Sequence, residues 1–176
     1  MPEVVPQSWA DAEPEVVQRE RAAMAAWAPD MNWRDDLEWR DGRRALGWVG
    51  SAPPWGGDRD MPAGTEELLD DRRLEIAAIY PEAFPAVPAE IFPRDPEVPL
   101  SRRTLSTWHL NGDGSLCLMQ AADDWNLSDT AADLVRKASG WFIEYLLLDG
   151  GRIERMTERG IFADTSLDPA IAEFAC

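Results

Sequence analysis

Side chains that hold metals or form cross-links are scarce in this chain of 176 residues. It has one histidine, His109, and two cysteines, Cys117 and Cys176. Two cysteines are too few for a disulfide framework, and one histidine leaves too few ligands for a structural zinc ion. Pairs of neighbouring aspartates occur, but runs of charge are usually solvated surface. We therefore expect neither a metal site nor a cofactor.

Positive charge and long apolar runs are scarce as well. Lys and Arg total 17 against 33 Asp and Glu, so the formal net charge is −16 at pH 7. A field of that sign repels the phosphates of nucleic acids and anionic lipid surfaces. No segment reaches the roughly 20 apolar residues of a membrane span, and residues 1–10 lack the pattern of a signal peptide. These features predict a soluble, cytoplasmic protein without nucleic-acid or membrane partners.

Apolar residues make up 45% of the chain, which is enough to bury one sizeable core. The chain length is also typical of one domain. We expect a single domain over residues 1–176, with its core in about residues 13–150 and a divergent tail in residues 151–176.

The first half of the sequence predicts a helix followed by an antiparallel meander. Pro14 suits the first turn of a helix, and Pro29 ends it. Asp41-Gly42 predicts the turn of a β-hairpin, and the alternation after Arg72 predicts a third strand. Residues 51–65 are expected to form a loop. Residues 81–99 contain six prolines and allow only a short edge strand near residues 87–92.

The second half predicts a long helix packed on the sheet, which makes the fold class α+β. Ser128 is a good N-cap for this helix, and Gly150 and Gly151 end it. Asp168-Pro169 predicts a last short helix. Most tryptophans are expected in the core, namely Trp27, Trp33, Trp39, Trp48 and Trp141, whereas Trp55 in the loop is a candidate partner contact.

Functional chemistry is concentrated in residues 108–118, between the strands and the long helix. Gly112 and Gly114 let the backbone turn closely, so Asn111 can fold back towards Cys117. An asparagine amide can donate to a developing oxyanion, and a cysteine is a nucleophile, so the pair indicates acyl transfer. His109 is expected to structure the loop, since no acid partner is apparent. For Asn111, simple turn stabilisation is an equal alternative.

The order of these residues resembles the ubiquitin-conjugating enzymes and their prokaryotic relatives. The family has a His-Pro-Asn element, a short loop and a Gly-x-Ile-Cys-Leu-like segment with the catalytic cysteine. The residues that match it are His109, Asn111, Gly114, Leu116, Cys117 and Leu118. Tyr80-Pro81 matches the family's Tyr-Pro, and Trp125 and Thr130 match its Trp and Thr before the central helix. Leu110 replaces the usual proline, and the interval between Asn111 and Cys117 is shorter than in the family.

The resemblance implies a fold like that of the family's catalytic domain (UBC-like). This fold has an N-terminal helix, an antiparallel meander, a Pro-rich and Cys-bearing loop, and a long central helix. It also implies that Cys117 accepts a ubiquitin-like protein from an adenylating activating enzyme as a thioester and passes it to a target amine. Such bacterial relatives are typically encoded beside these partners and a deubiquitinase-like metalloprotease, often in antiphage defence clusters.

Roles for individual residues follow from the same resemblance. Asn111 would donate to the oxyanion or brace the loop, and three residues would structure the loop: His109, Gly114 and Trp125. An acid that orients the incoming amine would be Asp123, Asp124 or Asp149. Cys176 is expected to be an inert chain end.

Two other functions remain open at this point. One is a non-catalytic module of the same fold that binds a ubiquitin-like protein and its activating enzyme. The other is a cysteine-dependent hydrolase, for which the sequence offers no clear acid-base partner to the thiol.

Overall fold

The computed structural model describes residues 8–39, 41–119 and 124–175 and shows an α+β fold. Its four strands form one antiparallel sheet in the order β1-β2-β3-β4. The strands are β1 Met31–Glu38, β2 Arg44–Ser51, β3 Glu75–Ile79 and β4 Glu90–Asp95. The helices are α1 Trp9–Ala12, α2 Pro14–Trp27, α3 Thr65–Leu69, α4 Leu105–Trp108, α5 Ala131–Asp149 and α6 Asp168–Ala172. In the part of the chain that the structure describes, no helix is both long enough and apolar enough to cross a membrane.

The predicted β-hairpin is confirmed in strands β1 and β2. Gly42 takes a φ of 79° in the connecting turn, and the Trp39 N–H donates to the Arg43 carbonyl over 2.8 Å. The register places Trp33 opposite Trp48, with ring centroids 5.1 Å apart. This aromatic pair links the two strands on one face of the sheet.

Strand β3 is confirmed, but the predicted edge strand lies further along the chain than residues 87–92. The Val87 N–H donates to the Ala83 carbonyl over 3.1 Å, so the chain is still in a turn there. Pairing with β3 begins at Glu90 and continues past Pro93. A proline fits in β4 because this strand is at the edge of the sheet and needs fewer ladder donors.

The long helix α5 begins at Ala131, so the prediction of Ser128 as its N-cap is wrong. Residues 126–129 form a turn in which the Asp129 carboxylate accepts from the Asn126 N–H over 2.8 Å. The N-cap is Thr130, whose backbone N–H donates to the Asp133 carboxylate over 2.8 Å. The helix ends at Gly150 as predicted, and 14 of its 19 residues are buried. It is therefore the central element of the core.

Residues 152–175, called the tail below, fold back onto α5. Four of their side chains, Met156, Ile161, Leu167 and Ile171, are buried in the same hydrophobic core as the sheet and α5. Contact with α5 is close at Gly140, where a Cβ atom would lie 2.9 Å from Cγ2 of Ile161. The short helix predicted at Asp168-Pro169 is confirmed as α6.

The expectation of a core position is wrong for Trp27, which is 49% exposed. It is the last residue of α2, and Met24, one turn earlier, takes the buried position. The Arg136 guanidinium lies 3.9 Å from the Trp27 ring centroid and covers part of the ring. Of the other tryptophans expected in the core, Trp48 and Trp141 are buried, and Trp33 and Trp39 are half-buried.

Trp55 is half-buried rather than free on the surface. Its ring packs edge-on against Phe162 of the tail, with centroids 4.7 Å apart, and its indole N–H donates to the Arg59 carbonyl over 2.8 Å. Through these contacts, Trp55 joins loop 52–64 to the tail.

Candidate active site around Cys117

Residues 109–117 form a tight turn, called the Cys117 hairpin below. A single β-bridge pairs Leu110 with Leu116, and both side chains are buried. The Asn111 N–H donates to the Ser115 carbonyl over 2.9 Å, and the Cys117 N–H donates to the His109 carbonyl over 2.8 Å. The two leucines therefore anchor the hairpin in the core, and Leu110 does so at the position where the resembled family has proline.

One further hydrogen bond attaches the hairpin to the rest of the fold, and a second holds Trp108, the residue just before it. The Leu116 N–H donates to the Ile91 carbonyl of β4 over 2.8 Å. The indole N–H of Trp141, in α5, donates to the Trp108 carbonyl over 2.8 Å. Because the hairpin is held by both an edge strand and the central helix, its position is set by the core.

Cys117 has a free, partly exposed thiol. Its Sγ donates to the Met119 carbonyl over 3.5 Å, and the side chains of Leu118 and Met119 pack against the core. Over residues 8–39, 41–119 and 124–175, no charged side chain forms a hydrogen bond with this thiol. Among the described residues, the thiol therefore has no charged side chain in direct contact.

The Asn111 side chain belongs to a hydrogen-bond network inside the hairpin. Its Nδ2 donates to Oγ of Ser115 over 2.9 Å, and that hydroxyl donates to Oδ1 of Asp113 over 2.7 Å. The Ser115 N–H donates to the same carboxylate oxygen over 2.7 Å. Asn111 thus braces the loop with one N–H of its amide.

His109 ends helix α4 in the left-handed region, with a φ of 48°. Its carbonyl accepts the Cys117 N–H. Burial lowers the pKa of the imidazole, with the opposing charge of Glu158 a smaller influence. The ring is therefore more readily neutral than a solvent-exposed histidine.

The remaining candidate residues of the site are Trp125 and the three aspartates. The Trp125 indole N–H donates to the Pro85 carbonyl over 2.8 Å, which ties the segment after Cys117 to the Pro-rich segment. Asp149 forms an ion pair with Arg102, at 2.6 Å, and Asp124 is exposed. Asp123 and Cys176 lie outside the described residues.

Sequence reasoning missed Ser115 and the Met119 carbonyl as parts of the site, and Arg102 as the partner of Asp149. A signal for Ser115 was present, since Asp113 two residues earlier is a common acceptor for a backbone N–H in an Asx-turn. Arg102 lies 4.7 Å from the Trp108 ring centroid as well as beside Asp149. That arrangement depends on α5 packing against α4, which no local pattern predicts.

Gly114 is expected to be needed for the geometry of the hairpin. Its φ of 94° is strained for any residue with a side chain, and an added Cβ would lie 3.1 Å from Cζ of Arg103. We expect Gly114→Ala to lower the free energy of unfolding by about 1 to 2 kcal/mol. It should also change the rate at which iodoacetamide alkylates Cys117 in a Cys176→Ser background.

Gly112→Ala is the matched control for this measurement. Gly112 lies in the same turn, but its φ is not in the positive region and nothing lies within 4 Å of an added Cβ. Urea unfolding and alkylation of this variant should match the parent protein. Equal effects of the two substitutions would show that the conformation of Gly114 has no special importance.

Within the part of the chain that the structure describes, no three His, Cys, Asp or Glu side chains form a group that could hold a metal ion. No protein-family model, curated protein or solved structure matches this chain. The interpretation of the site therefore depends on its own residues and geometry.

Proposed function

We propose that this protein is a ubiquitin-conjugating-like enzyme with a UBC-like fold, in which Cys117 carries a ubiquitin-like protein as a thioester. The order of elements supports the proposal: helix α2, a four-stranded meander, the Cys117 hairpin and then the central helix α5. In the sequence, the motif residues quoted above follow one another in the order that the resembled family has. The biological setting that we propose is bacterial antiphage defence.

The observation that carries the proposal is the position of Cys117. Its thiol is free and partly exposed, whereas the hairpin that bears it is anchored by buried Leu110 and Leu116. A small structural cysteine would normally be buried with its neighbours. A rigid support beneath an accessible thiol is the arrangement that acyl transfer by positioning requires.

In the first step, the Cys117 thiolate attacks the thioester carbonyl that links the ubiquitin-like protein to a cysteine of the activating enzyme. A new C–S bond forms, the old C–S bond breaks, and the cysteine of the activating enzyme leaves as a thiolate. Exchange between similar thiols needs little driving force and no strong general base. The absence of a charged side chain bonded to Sγ, within the described residues, is compatible with this chemistry.

In the second step, a target amine attacks the Cys117 thioester. A C–N bond forms, the C–S bond breaks, Cys117 leaves as a thiolate and the amine proton passes to solvent or to a carboxylate. Asn111 would stabilise the oxyanion with the amide N–H that Ser115 does not take. Asp149 is the last residue of α5, and its ion pair with Arg102 restrains the carboxylate. In the proposed reaction this carboxylate would orient the incoming amine.

One observation favours the non-catalytic alternative, a module that binds a ubiquitin-like protein and its activating enzyme. The Asn111 amide already donates to Ser115 inside the hairpin. If Asn111 serves only to hold the hairpin through this contact, it does not donate to an oxyanion, and the site then has a nucleophile without an oxyanion donor. Both alternatives imply the same two protein partners.

The test is a non-reducing gel of the protein incubated with ATP and with the activating enzyme and ubiquitin-like protein from its own genomic neighbourhood. We expect an adduct that disappears on treatment with dithiothreitol. Cys117→Ala should abolish it completely, and Cys117→Ser should give at most an adduct that resists dithiothreitol, because an oxyester is not cleaved by thiols.

Cys176→Ala is the matched control, since it removes the other cysteine and should leave the adduct unchanged. The catalytic proposal fails if the activating enzyme charges itself but no Cys117 adduct forms. If the three proteins still co-purify under those conditions, and equally well with Cys117→Ser, the non-catalytic alternative is correct.

A further inference from the structure

A cleft of about 250 Å³ lies between the end of β4 and the Cys117 hairpin. One wall comes from β4 and the chain that follows it, and the other contains the turn of the hairpin. The residues that line the cleft are Pro93, Arg94, Glu97, Val98, Arg103 and Gly114. Nothing in the function proposed above uses this cleft.

Arg103 has unused hydrogen-bonding capacity in this cleft. Its Nε is closed off from solvent and has no hydrogen-bond partner, and its Nη2 makes only a long contact of 3.5 Å to the Val98 carbonyl. Within the described part of the chain, neither Arg103 nor Arg94 forms an ion pair. Among the described residues, seven other arginines are paired with carboxylates: Arg34, Arg43, Arg59, Arg73, Arg102, Arg136 and Arg152.

The guanidinium of Arg103 lies directly against the hairpin turn. An added Cβ on Gly114 would meet its Cζ at 3.1 Å and its Nη1 at 3.2 Å. The glycine therefore allows a close approach between the cation and the backbone that leads to Cys117. Arg103 and this turn are therefore in direct contact.

One carboxylate lines the cleft, and a second, Asp113, lies next to one of its lining residues in the chain. Glu97 lines it and is exposed, so it opposes an anion. Asp113, next to Gly114, accepts hydrogen bonds from the N–H and Oγ of Ser115. The cleft lining itself contains two guanidinium groups and one carboxylate, so its net charge is positive in a chain whose total is −16.

We propose that this cleft is a binding site for a small oxyanion, a phosphate or a carboxylate group, held by Arg94 and Arg103. Guanidinium groups bind both ions through paired N–H donors, and the bonds are stronger when both partners are charged. An anion held by Arg103 would thus bind a side chain that also lies against Gly114. The site thereby couples an anion to the backbone of the Cys117 hairpin.

The test is an NMR titration of the full chain with inorganic phosphate, and separately with acetate, at constant ionic strength. The N–H signals of the arginine Nε groups and of Gly114 are followed. We expect a saturable shift of the Arg103 and Gly114 signals. Saturation with phosphate alone assigns a phosphate site, and saturation with acetate alone assigns a carboxylate site.

Substitutions within the cleft should change the affinity in opposite directions. Arg94→Gln is expected to weaken phosphate binding about tenfold, which is the effect of losing one charged hydrogen bond. Glu97→Gln should strengthen binding, because it removes the opposing charge. Arg155→Gln is the charge-matched control, since Arg155 is exposed and does not line the cleft.

The proposal is overturned if the shifts are linear with phosphate and acetate, or if Arg155→Gln weakens binding as much as Arg94→Gln does. Either result would mean that the protein responds to added ions in general and has no specific anion site in this cleft. The readout does not involve thioester formation, so it separates the failure of this proposal from failure of the conjugating function.

Discussion

Glu20→Ala is expected to lower the free energy of unfolding by about 3 kcal/mol, because it leaves buried donors without an acceptor. Glu20 is fully buried, and its Oε2 accepts from the Tyr80 hydroxyl at 2.6 Å and from the Ala131 N–H at 2.8 Å. The Tyr80 hydroxyl in turn accepts from the indole N–H of Trp48 over 2.8 Å. One carboxylate thus joins α2, the sheet and the first residue of α5.

The contact with Ala131 also satisfies a donor that every helix leaves unpaired at its N-terminus. A carboxylate at this end of α5 is favoured by the helix dipole. Urea unfolding measures the loss, and Glu15→Ala is the control, because Glu15 is an exposed residue of the same helix. Similar losses for the two variants would show that the buried network adds no stability.

The stability contributed by Glu20 is also expected to depend on pH. Burial raises the pKa of this carboxyl above its ordinary value of 4.5, against the opposing influence of the hydrogen bonds from Tyr80 and Ala131. The folded protein therefore holds the proton more tightly than the unfolded chain does. The contribution of this raised pKa to the free energy of unfolding is fully present below pH 4.5, and it is lost as the pH rises through the pKa of Glu20 in the folded protein.

Glu20→Gln isolates this pH dependence, since an amide keeps an acceptor oxygen but does not titrate. We expect it to change the free energy of unfolding by about 1 kcal/mol or less at neutral pH. The difference in stability between wild type and Glu20→Gln should move in favour of the variant as the pH rises from 4.5. A difference that is constant over this range would contradict the raised pKa.

The elements of the meander could be predicted from the sequence because their signals are local. Asp41-Gly42 marks a turn whatever surrounds it, and the alternation around Ile76 indicates a strand, although the structure buries Ile76, Ala77 and Ala78 in succession. The start of α5 was misplaced because Ser128 and Thr130 are both acceptable N-caps. The choice between them depends on Asp133, which binds the Thr130 N–H, and on Glu20, which lies 111 residues away from Ala131 in the chain.

In the candidate site, too, the features set by neighbouring residues could be predicted from the sequence, and those set by distant residues could not. The turn of the hairpin follows from Asn111, Gly112 and Gly114, and the motif predicts Cys117 as the nucleophile. The support for the hairpin does not follow from any local pattern, because it comes from Ile91 and Trp141. Helices α1, α3 and α4 were not predicted, since four or five residues are too few to show helical periodicity.

The tail is expected to depend on a second buried carboxylate, Glu144 of α5. This side chain is 2% exposed, and its two oxygens accept from the N–H of Thr157 at 2.6 Å and from its hydroxyl at 2.9 Å. Burial raises the pKa of Glu144, while the bonds from Thr157 oppose the rise. Removing the carboxylate would leave the donors of Thr157 facing an apolar helix surface.

We expect Glu144→Ala to release the tail before the rest of the protein unfolds. Protection of the Thr157 amide against hydrogen exchange should fall about 100-fold, which corresponds to about 3 kcal/mol. Amides in the middle of α5 should lose much less protection, because the sheet still covers that helix. Glu154→Ala, an exposed change within the tail, should leave the exchange of Thr157 unchanged.

The same variant tests whether the tail supports the site. The Met156 N–H donates to the Thr107 carbonyl over 3.3 Å, so the tail holds the residue two positions before His109. If the tail opens, Trp108 and the Cys117 hairpin lose this support, and alkylation of Cys117 should become faster. A tail that exchanges freely while alkylation stays at the rate of the parent protein would show that β4 and Trp141 hold the hairpin without it.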